Sequence, residues 1–315
     1  MTTMNDVRAA AERIHGQVHR TPTLRQPSLG EATGVPGLWM KAELFQKTGS
    51  FKVRGVLNTV LAMSEEDRAK GLVTMSAGNH AAALAYAARM VGTTAVVVMP
   101  HTANPGKIAA TESYGGEVVL TDGALIDRLN EIRAETGRTL VHPFDDPSVI
   151  AGAGTVGLEI LDDVPDADVV VVQAGGGGML AGVATVVKHL RPQARVYGVE
   201  PEGADAVTQG LEAGAPVHIK PVSVADALCA PFTGVANLPL ITQYVDEVVL
   251  VTERDILDAL RLTIERTKYA VEPAGATGVA ALLAKAVPLQ PEDTVVVIAS
   301  GGNVDAATLA RLLTS

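Results

Sequence analysis

The sequence predicts an α/β protein with two lobes, each a mostly parallel sheet flanked by helices. Short Val- and Ile-rich runs recur along the chain, and Ala-rich stretches of helical length separate them. Continuous apolar runs of strand length are typical of strands that are covered on both faces. Strand–helix alternation favours right-handed crossovers within a sheet. Two such series occur, one over residues 72–141 and one after residue 151, so we expect a cleft between two lobes.

The individual elements follow from these runs. We predict strands at residues 72–75, 94–99, 169–173, 195–199 and 294–299. We predict helices at residues 55–63, 80–90, 105–114, 180–190, 254–268 and 275–285. A small domain over residues 70–146 is expected to interrupt a large domain formed by residues 1–69 and 147–315.

Composition and charge exclude several classes of protein. Of the 315 residues, 47% are hydrophobic and 19% are charged, which excludes a disordered or fibrous chain. A formal charge of −10 provides no basic patch, so we expect no nucleic-acid partner. The single cysteine, Cys229, cannot form an internal disulfide and suits a reducing compartment. We find no signal peptide and no apolar run of about 20 residues, so we expect a cytoplasmic protein without a membrane partner.

A run of glycines follows the predicted strand at 169–173 and comprises Gly175, Gly176, Gly177 and Gly178, with Met179 next. Glycines leave backbone N–H groups unobstructed, and the start of a helix carries a partial positive charge. A strand-to-helix turn alone needs one or two glycines, and further glycines cost backbone entropy. We therefore predict a phosphate-binding loop here.

A dinucleotide-binding oxidoreductase is the alternative for such glycines. Residues 152–157 satisfy the spacing G-x-G-x-x-G, and Glu200 lies about 20 residues beyond the glycine run, where a ribose-binding carboxylate is expected. However, residues 152–157 follow a predicted loop rather than a buried strand, and the glycine run lacks the third glycine of the fingerprint. We interpret residues 152–157 as glycines that pack a helix start.

Three further stretches carry candidate chemistry. Ser50-Phe51-Lys52-Val53-Arg54-Gly55 places a lysine at a predicted helix start. Most lysines are solvated surface charges, but one near a helix N-terminus and a phosphate tends to lose its proton and form an imine. Ser76-Ala77-Gly78-Asn79-His80 precedes a helix and suits a carboxylate ligand, with a plain helix cap as the alternative. Ser300-Gly301-Gly302-Asn303 follows a strand, and an ordinary polar turn is its alternative.

These four stretches, taken together and in their order along the chain, resemble the serine/threonine dehydratases and serine racemases of the pyridoxal-phosphate fold-type II class. The resemblance runs from about Thr21 to Asp305 and extends to Val224-Ala225-Asp226 and Glu272-Pro273-Ala274-Gly275. It implies the two-lobed architecture of tryptophan synthase β, with pyridoxal 5'-phosphate in the large domain, and a homodimer. It also implies elimination of water and ammonia from L-threonine, L-serine or both, as small-molecule substrates, to give a 2-oxo acid.

The resemblance assigns roles to individual residues. It implies that Lys52 holds the cofactor as a Schiff base and moves the proton at the substrate Cα. Phe51 is expected to pack beside the cofactor ring, Asn79 to hydrogen-bond its phenolic oxygen and Ser300 to face its pyridine nitrogen. The phosphate is expected to bind backbone N–H groups of Gly175, Gly176, Gly177, Gly178 and Met179. The substrate carboxylate is expected to bind the loop of Ser76, Ala77, Gly78, Asn79 and His80.

The chain departs from the family pattern at informative positions. Racemases carry a second serine where this chain has Ala77, and a methyl group cannot transfer a proton, so we favour a lyase over a serine or aspartate racemase. The chain ends at Ser315, soon after Asn303, so we expect no C-terminal regulatory domain. A 3-hydroxyaspartate dehydratase stays open as an alternative, although no Arg or Lys can be assigned to the substrate pocket from the sequence.

A divalent cation, Mg²⁺ or Ca²⁺, is a further implication of the resemblance. Glu200 and Ala204 occupy two of the positions that bind a cation in many relatives. The expected second carboxylate is Ala206 here, with Asp205 adjacent, and hard cations need several oxygen ligands at fixed distances. A solvated carboxylate at a strand end is the alternative for Glu200.

Overall fold

The structure, a computed structural model, describes residues 1–314 and has the predicted α/β composition. The strands are β1 (Thr23–Arg25), β2 (Leu38–Lys41), β3 (Leu72–Met75), β4 (Ala95–Pro100), β5 (Gly116–Thr121), β6 (Thr139–Leu140), β7 (Val169–Gln173), β8 (Arg195–Pro201), β9 (Glu247–Val251) and β10 (Val295–Ile298). The helices are α1 (Met4–Ile14), α2 (Pro27–Thr33), α3 (Lys52–Ala62), α4 (Glu65–Ala69), α5 (Asn79–Met90), α6 (Pro105–Ser113), α7 (Leu125–Thr136), α8 (Pro147–Asp163), α9 (Gly178–Leu190), α10 (Ala206–Ala213), α11 (Leu238–Tyr244), α12 (Glu253–Thr267), α13 (Pro273–Leu283) and α14 (Ala306–Leu313).

The strands form two sheets, as the sequence predicts. The larger sheet has the order β1-β2-β10-β7-β8-β9, and only its edge pair β1–β2 is antiparallel in the described chain. The smaller sheet has the order β5-β4-β3-β6 and is parallel throughout the residues described. The central strand β7 is Val-rich and fully buried because helices cover both faces. The predicted fold class is confirmed.

The four strands of the smaller sheet and the helices α5, α6 and α7 lie within residues 72–140. The division of the chain into domains at residues 70 and 146 stays a prediction. Helix α3 lies before residue 70 but packs against residues of both lobes. Val53 and Val56 of α3 lie in one apolar cluster with Leu72 and Leu84 of the small lobe. Gly55 of the same helix lies against α8. Helix α3, which begins at Lys52, is therefore held between the two lobes.

One interpretation of the glycines was wrong. Residues 152–157 lie in the middle of α8 rather than at its start. A Cβ on Gly152 would lie 2.5 Å from the carbonyl oxygen of Arg54, so this glycine lets α8 approach the backbone of α3. The spacing G-x-G-x-x-G thus reflects close helix packing. None of the helices in residues 1–314 is both long and apolar enough to cross a membrane.

Candidate active site

The four sequence motifs meet at one end of the large sheet. The carboxyl ends of β7 and β10 lead into the glycine run and into Ser300, and strands that are parallel neighbours end at the same edge. Ser50 forms an isolated antiparallel bridge with Gly301, and the Phe51 N–H donates to the carbonyl oxygen of Ser300 at 3.0 Å. The Asn303 amide donates to Asn79 Oδ1 at 2.7 Å. Segments up to about 250 residues apart in sequence therefore form one site.

Lys52 is the first residue of α3 and projects into this site. Its Nζ donates to the carbonyl oxygen of Pro143 at 2.8 Å and lies 5.2 Å from the centroid of the Phe51 ring. Burial lowers the pKa of Lys52 to about 8, because desolvation disfavours the ammonium form. About a tenth of the amine is therefore neutral at pH 7, far more than for an ordinary lysine, and the neutral form is the one that acts as a nucleophile or a proton acceptor.

The glycine run forms a turn in which Gly177 has a left-handed φ of 89° and immediately precedes α9. The positive φ calls for glycine, and a Cβ at Gly177 would also lie 2.7 Å from Ile241 Cδ1, so that side chain would have to move. The carbonyl of Gly176 accepts from the Gly234 N–H at 3.0 Å and from Asn237 Nδ2 at 2.6 Å. In a trans peptide the next N–H points the opposite way, so the Gly177 N–H is directed away from these donors.

The loop of Ser76 to His80 joins β3 to α5. The Gly78 N–H donates to Ser76 Oγ at 3.3 Å, and Ala77 lies partly buried between them. His80 is buried, its Nε2 pairs with the carbonyl oxygen of Val141 at 3.0 Å, and its Nδ1 has no hydrogen-bond partner in residues 1–314. Burial, assisted by the nearby charge of Lys52, lowers the pKa of His80 to about 3, so this imidazole is neutral at physiological pH.

A cavity of about 560 Å³ adjoins the loop and opens between the lobes. Its wall includes Asn79, Glu272 and Asn303, and Lys107 of α6 forms an ion pair across it with Asp226. Arg311 of α14 also lies in the wall. The wall of this cavity thus includes two cationic side chains, whereas the sequence allows none to be assigned to the substrate pocket. Both come from helices outside the four motifs, so no motif could have indicated them.

Glu200 is not a solvated strand end, and that alternative was wrong. Its side chain is fully buried and accepts from the Val207 N–H at 2.8 Å and from the Thr208 N–H at 2.9 Å. Burial raises the pKa of Glu200 to about 7. The Asp205 carboxylate binds Gln209 instead of turning towards Glu200.

The residues around Glu200 do not fit the cation that the resemblance implied. Both oxygens of this carboxylate accept from donors at the start of α10, Ala204 offers only its backbone carbonyl, and Ala206 supplies no second carboxylate. Residues 1–314 contain no group of three or more His, Cys, Asp and Glu side chains that could hold a metal ion.

The sequence missed several residues of the site. Glu272 is buried beside Asn79, and burial raises its pKa to about 7. His142 accepts from the Asp145 N–H at 2.8 Å through Nδ1 and packs edge-on against Phe144, with ring centroids 4.8 Å apart. Glu272 belongs to one of the stretches that match the family, and this was the available signal. The His142 segment had been interpreted only as a loop.

Comparisons with known proteins agree with this arrangement. A family model described as pyridoxal-phosphate dependent enzyme matches residues 14–301. The L-threonine ammonia-lyase of Thermotoga maritima is 41% identical, with 99% of this chain and 78% of the relative covered, and the phenylserine dehydratase of Ralstonia pickettii is 41% identical, with 99% and 97% covered. The structure of maize serine racemase matches with a TM-score of 0.93 at 38% identity, covering 99% of this chain and 97% of that one. The predicted resemblance is confirmed: the chain belongs to the pyridoxal-phosphate-dependent enzymes.

Proposed function

We propose that this chain eliminates water and ammonia from L-threonine, L-serine or both and releases the corresponding 2-oxo acid. The observation that carries the proposal is a site with an amine of lowered pKa at Lys52 and a substrate loop that has only a methyl group at Ala77. Elimination needs one proton-transfer group at Cα, whereas racemisation needs a second group on the opposite face. Relatives named L-threonine ammonia-lyase and phenylserine dehydratase support elimination from a β-hydroxy amino acid.

Pyridoxal phosphate fits the residues of the site. The first backbone N–H groups of α9 have no acceptor within their own helix and suit a phosphate. The hydroxyls of Thr48 and Ser50 are buried without a partner in the described part of the chain, which is consistent with a polar group binding beside them. We propose that Phe51, Asn79 and Ser300 hold the cofactor ring. When bound, the cofactor supplies an electron sink for charge that develops at the substrate Cα.

The side chains of this protein then perform the remaining steps. We propose that Ser76, Asn79 and the N–H groups at the start of α5 bind the substrate carboxylate, since a helix start favours an anion. Lys52 removes the Cα proton as its neutral amine, the released electron pair forms a double bond between Cα and Cβ, and the bond from Cβ to the hydroxyl oxygen breaks. The hydroxyl leaves as water, and the proton that Lys52 took from Cα balances this loss. Water then hydrolyses the resulting enamine to the 2-oxo acid and ammonia. The neutral imidazole of His80 serves to position the loop through its contact with Val141, and no proton passes through it.

We further infer that the protein is a cytoplasmic homodimer. The resemblance to the family supports this inference. Light scattering of the purified protein measures its mass in solution and therefore its oligomeric state. A mass of one chain, 32.6 kDa, at micromolar concentration would contradict the dimer.

The visible absorption spectrum of the purified protein tests the proposed function. We expect a yellow band, loss or alteration of this band in Lys52→Ala, and formation of a 2-oxo acid when L-threonine or L-serine is added. A protein that stays colourless with added pyridoxal phosphate contradicts the cofactor assignment. A yellow protein that forms no 2-oxo acid from either amino acid contradicts the substrate assignment alone.

The two cationic side chains of the cavity wall bear on a second candidate substrate, 3-hydroxyaspartate. This substrate carries a β-carboxylate that L-threonine lacks, and a cation such as Lys107 or Arg311 is the group that would pair with it. Lys107 is already paired with Asp226, and this favours the neutral substrates. Relative kcat/KM for 3-hydroxyaspartate and L-threonine distinguishes the two, and Lys107→Met should lower the value for 3-hydroxyaspartate selectively if that substrate is used.

A further inference from the structure

Glu272 is a buried carboxylate that the steps above leave unused. It occupies the N-cap position of α13, where a side chain normally accepts from the N–H groups of its own helix. In the described structure its side chain makes no such capping bond. It is only 3% exposed and turns towards the cofactor-side residue Asn79 instead. Capping of α13 therefore does not explain why a carboxylate is buried at this position.

Glu272 fixes one end of the Asn79 amide, and Asn303 fixes the other. Asn79 Nδ2 donates to Glu272 Oε1 at 2.6 Å, while Asn303 Nδ2 donates to Asn79 Oδ1 at 2.7 Å. Asn303 Nδ2 also donates to the carbonyl oxygen of Thr48 at 2.8 Å. The amide of Asn79 therefore has one orientation that satisfies both neighbours. An amide nitrogen carries two N–H bonds, and Glu272 uses one of them, which leaves the second as a donor to the site.

The loop after β10 leaves room for this arrangement. A Cβ on Gly301 would lie 2.4 Å from Glu272 Oε1, so a side chain at position 301 would displace the carboxylate. The Glu272 N–H donates to the carbonyl oxygen of Gly301 at 3.1 Å, which fixes the start of α13 to the same loop. The glycine after Ser300 thus accommodates Glu272 and does not simply form a polar turn.

We propose that Glu272 is a positioning residue, which holds the Asn79 amide so that its second N–H is presented to the bound cofactor. This inference rests on the proposed roles of Asn79 and pyridoxal phosphate. Glu272 would act only through Asn79, without contacting the cofactor or the reacting atoms. The hydrogen bond is expected to matter because removal of one partner leaves a buried donor of Asn79 unsatisfied and free to reorient.

The role that we propose for Glu272 requires an acceptor oxygen and not a charge, because the bond from Asn79 ends on Oε1. Burial raises the pKa of Glu272 and the Asp226 carboxylate raises it further, while the bond from Asn79 and the ammonium of Lys107 oppose these effects. The backbone N–H of Asn303 also lowers it. Both the ionised and the neutral carboxyl group keep an oxygen that accepts from Asn79. Glutamine keeps such an oxygen as well, whereas alanine does not.

A double-mutant cycle on cofactor affinity tests the proposal. Apo-protein of the wild type, Glu272→Ala, Asn79→Ala and the double variant is titrated with pyridoxal phosphate, and binding is followed by absorbance. We expect Glu272→Ala and Asn79→Ala each to weaken binding about tenfold, as the loss of one buried hydrogen bond implies. The double variant should bind as weakly as Asn79→Ala alone, because Glu272 acts through Asn79. Glu272→Gln should stay within about threefold of the wild type.

Two results overturn the proposal. Losses that multiply in the double variant show that Glu272 acts independently of Asn79, and a loss in Glu272→Gln equal to that in Glu272→Ala shows that the charge matters. Thr308→Val is the control, since Thr308 lines the same cavity outside the hydrogen-bonded chain. Thermal unfolding of each apo-protein identifies any variant that fails to fold, and Glu272→Asp replaces it in the cycle. A wild type that binds the cofactor but forms no 2-oxo acid contradicts only the proposed activity.

Discussion

Arg54 donates to both carboxylate oxygens of Glu43, with an Nη2–Oε1 distance of 2.7 Å and an Nε–Oε2 distance of 2.8 Å. The same guanidinium donates to both oxygens of Glu159 at 2.8 Å. Arg54 and Glu43 are almost completely buried, and the two carboxylates raise the pKa of the guanidinium. Arg54 follows Lys52 by two residues in α3, so the contact with Glu159 ties the helix that carries the lysine to α8, and the contact with Glu43 ties it to the segment after β2.

We predict that Arg54→Ala lowers the free energy of unfolding by about 3–5 kcal/mol, because it leaves the buried carboxylate of Glu43 without a countercharge. Arg54→Lys keeps the charge but cannot make two bidentate contacts, so it should also destabilise the protein, by a smaller amount. Urea unfolding of the apo-protein measures both changes.

Arg254→Ala is the matched control for this prediction. Arg254 pairs with Asp258 at 2.8 Å on the surface of α12, with 71% of its side chain exposed. Exposed pairs of this kind contribute about 0–1 kcal/mol. If Arg54→Ala and Arg254→Ala lower the free energy of unfolding by equal amounts, the buried ion pairs of Arg54 stabilise the protein no more than a surface ion pair does.

The sequence predicted the parts of this site that depend on local pattern. The Val-rich runs identified β7 and β10, and the glycine run identified the turn before α9, because burial and backbone conformation act within a few residues. Glu272 escaped notice because its partner, Asn79, is 193 residues away in the chain. A glutamate before a proline is an ordinary helix start, and only tertiary structure reveals that its carboxylate turns elsewhere.

Glu200 is a second residue whose surroundings could not be predicted from the sequence. A carboxylate at the end of a strand had a solvated interpretation and a cation-binding interpretation, and the first was wrong. The start of α10 covers it and supplies the donors of Val207 and Thr208. The sequence shows that Val207 and Thr208 follow Glu200 closely in the chain. Only the direction of the intervening turn decides whether their N–H groups reach its carboxylate.

The lowered pKa of Lys52 has a consequence for stability. Its folded-state pKa is about 8, against 10.5 for an ordinary lysine. Below pH 8 both states are protonated and the folded state carries the full desolvation penalty. Between pH 8 and 10.5 the unfolded state binds more protons, so stability rises with pH in this window. We predict that the advantage of Lys52→Met over the apo wild type, on the order of 3 kcal/mol at pH 7, declines through this window.

Urea unfolding of both apo-proteins at several pH values from 7 to 10.5 measures this difference. The rate at which apo wild type incorporates pyridoxal phosphate provides a second measure, since only the neutral amine reacts, and it should rise with pH up to about 8. A stability difference that is constant with pH would mean that Lys52 titrates as it does in the unfolded chain.

The turn at Gly177 gives a prediction about the phosphate. In Gly177→Ala, a φ of 89° strains an L-residue and the new Cβ would lie 2.7 Å from Ile241 Cδ1, so the turn or the end of the Ile241 side chain must shift. We expect affinity for pyridoxal phosphate to fall more than tenfold, as measured by absorbance titration, because the N–H groups lose their alignment.

Gly214→Ala is the corresponding control. Gly214 has a φ of 66°, and its added Cβ would meet no atom within 4 Å in the described structure. It should lose about 1 kcal/mol of stability through backbone strain and keep the cofactor affinity of the wild type. If both variants bind the cofactor equally well, the glycine run does not bind the phosphate.

The methyl group of Ala77 gives the prediction that separates a lyase from a racemase. By resemblance to the family, a serine at this position provides the second proton-transfer group, on the face of the substrate opposite Lys52. We predict that Ala77→Ser forms D-serine from L-serine at least ten times faster than the wild type and still releases the 2-oxo acid. Chiral chromatography of the reaction mixture measures both products. Ala82→Ser adds a hydroxyl elsewhere in the cavity wall and should form no extra D-serine. If the wild type already forms D-serine as fast as Ala77→Ser does, another group protonates that face, and the preference for a lyase loses its basis.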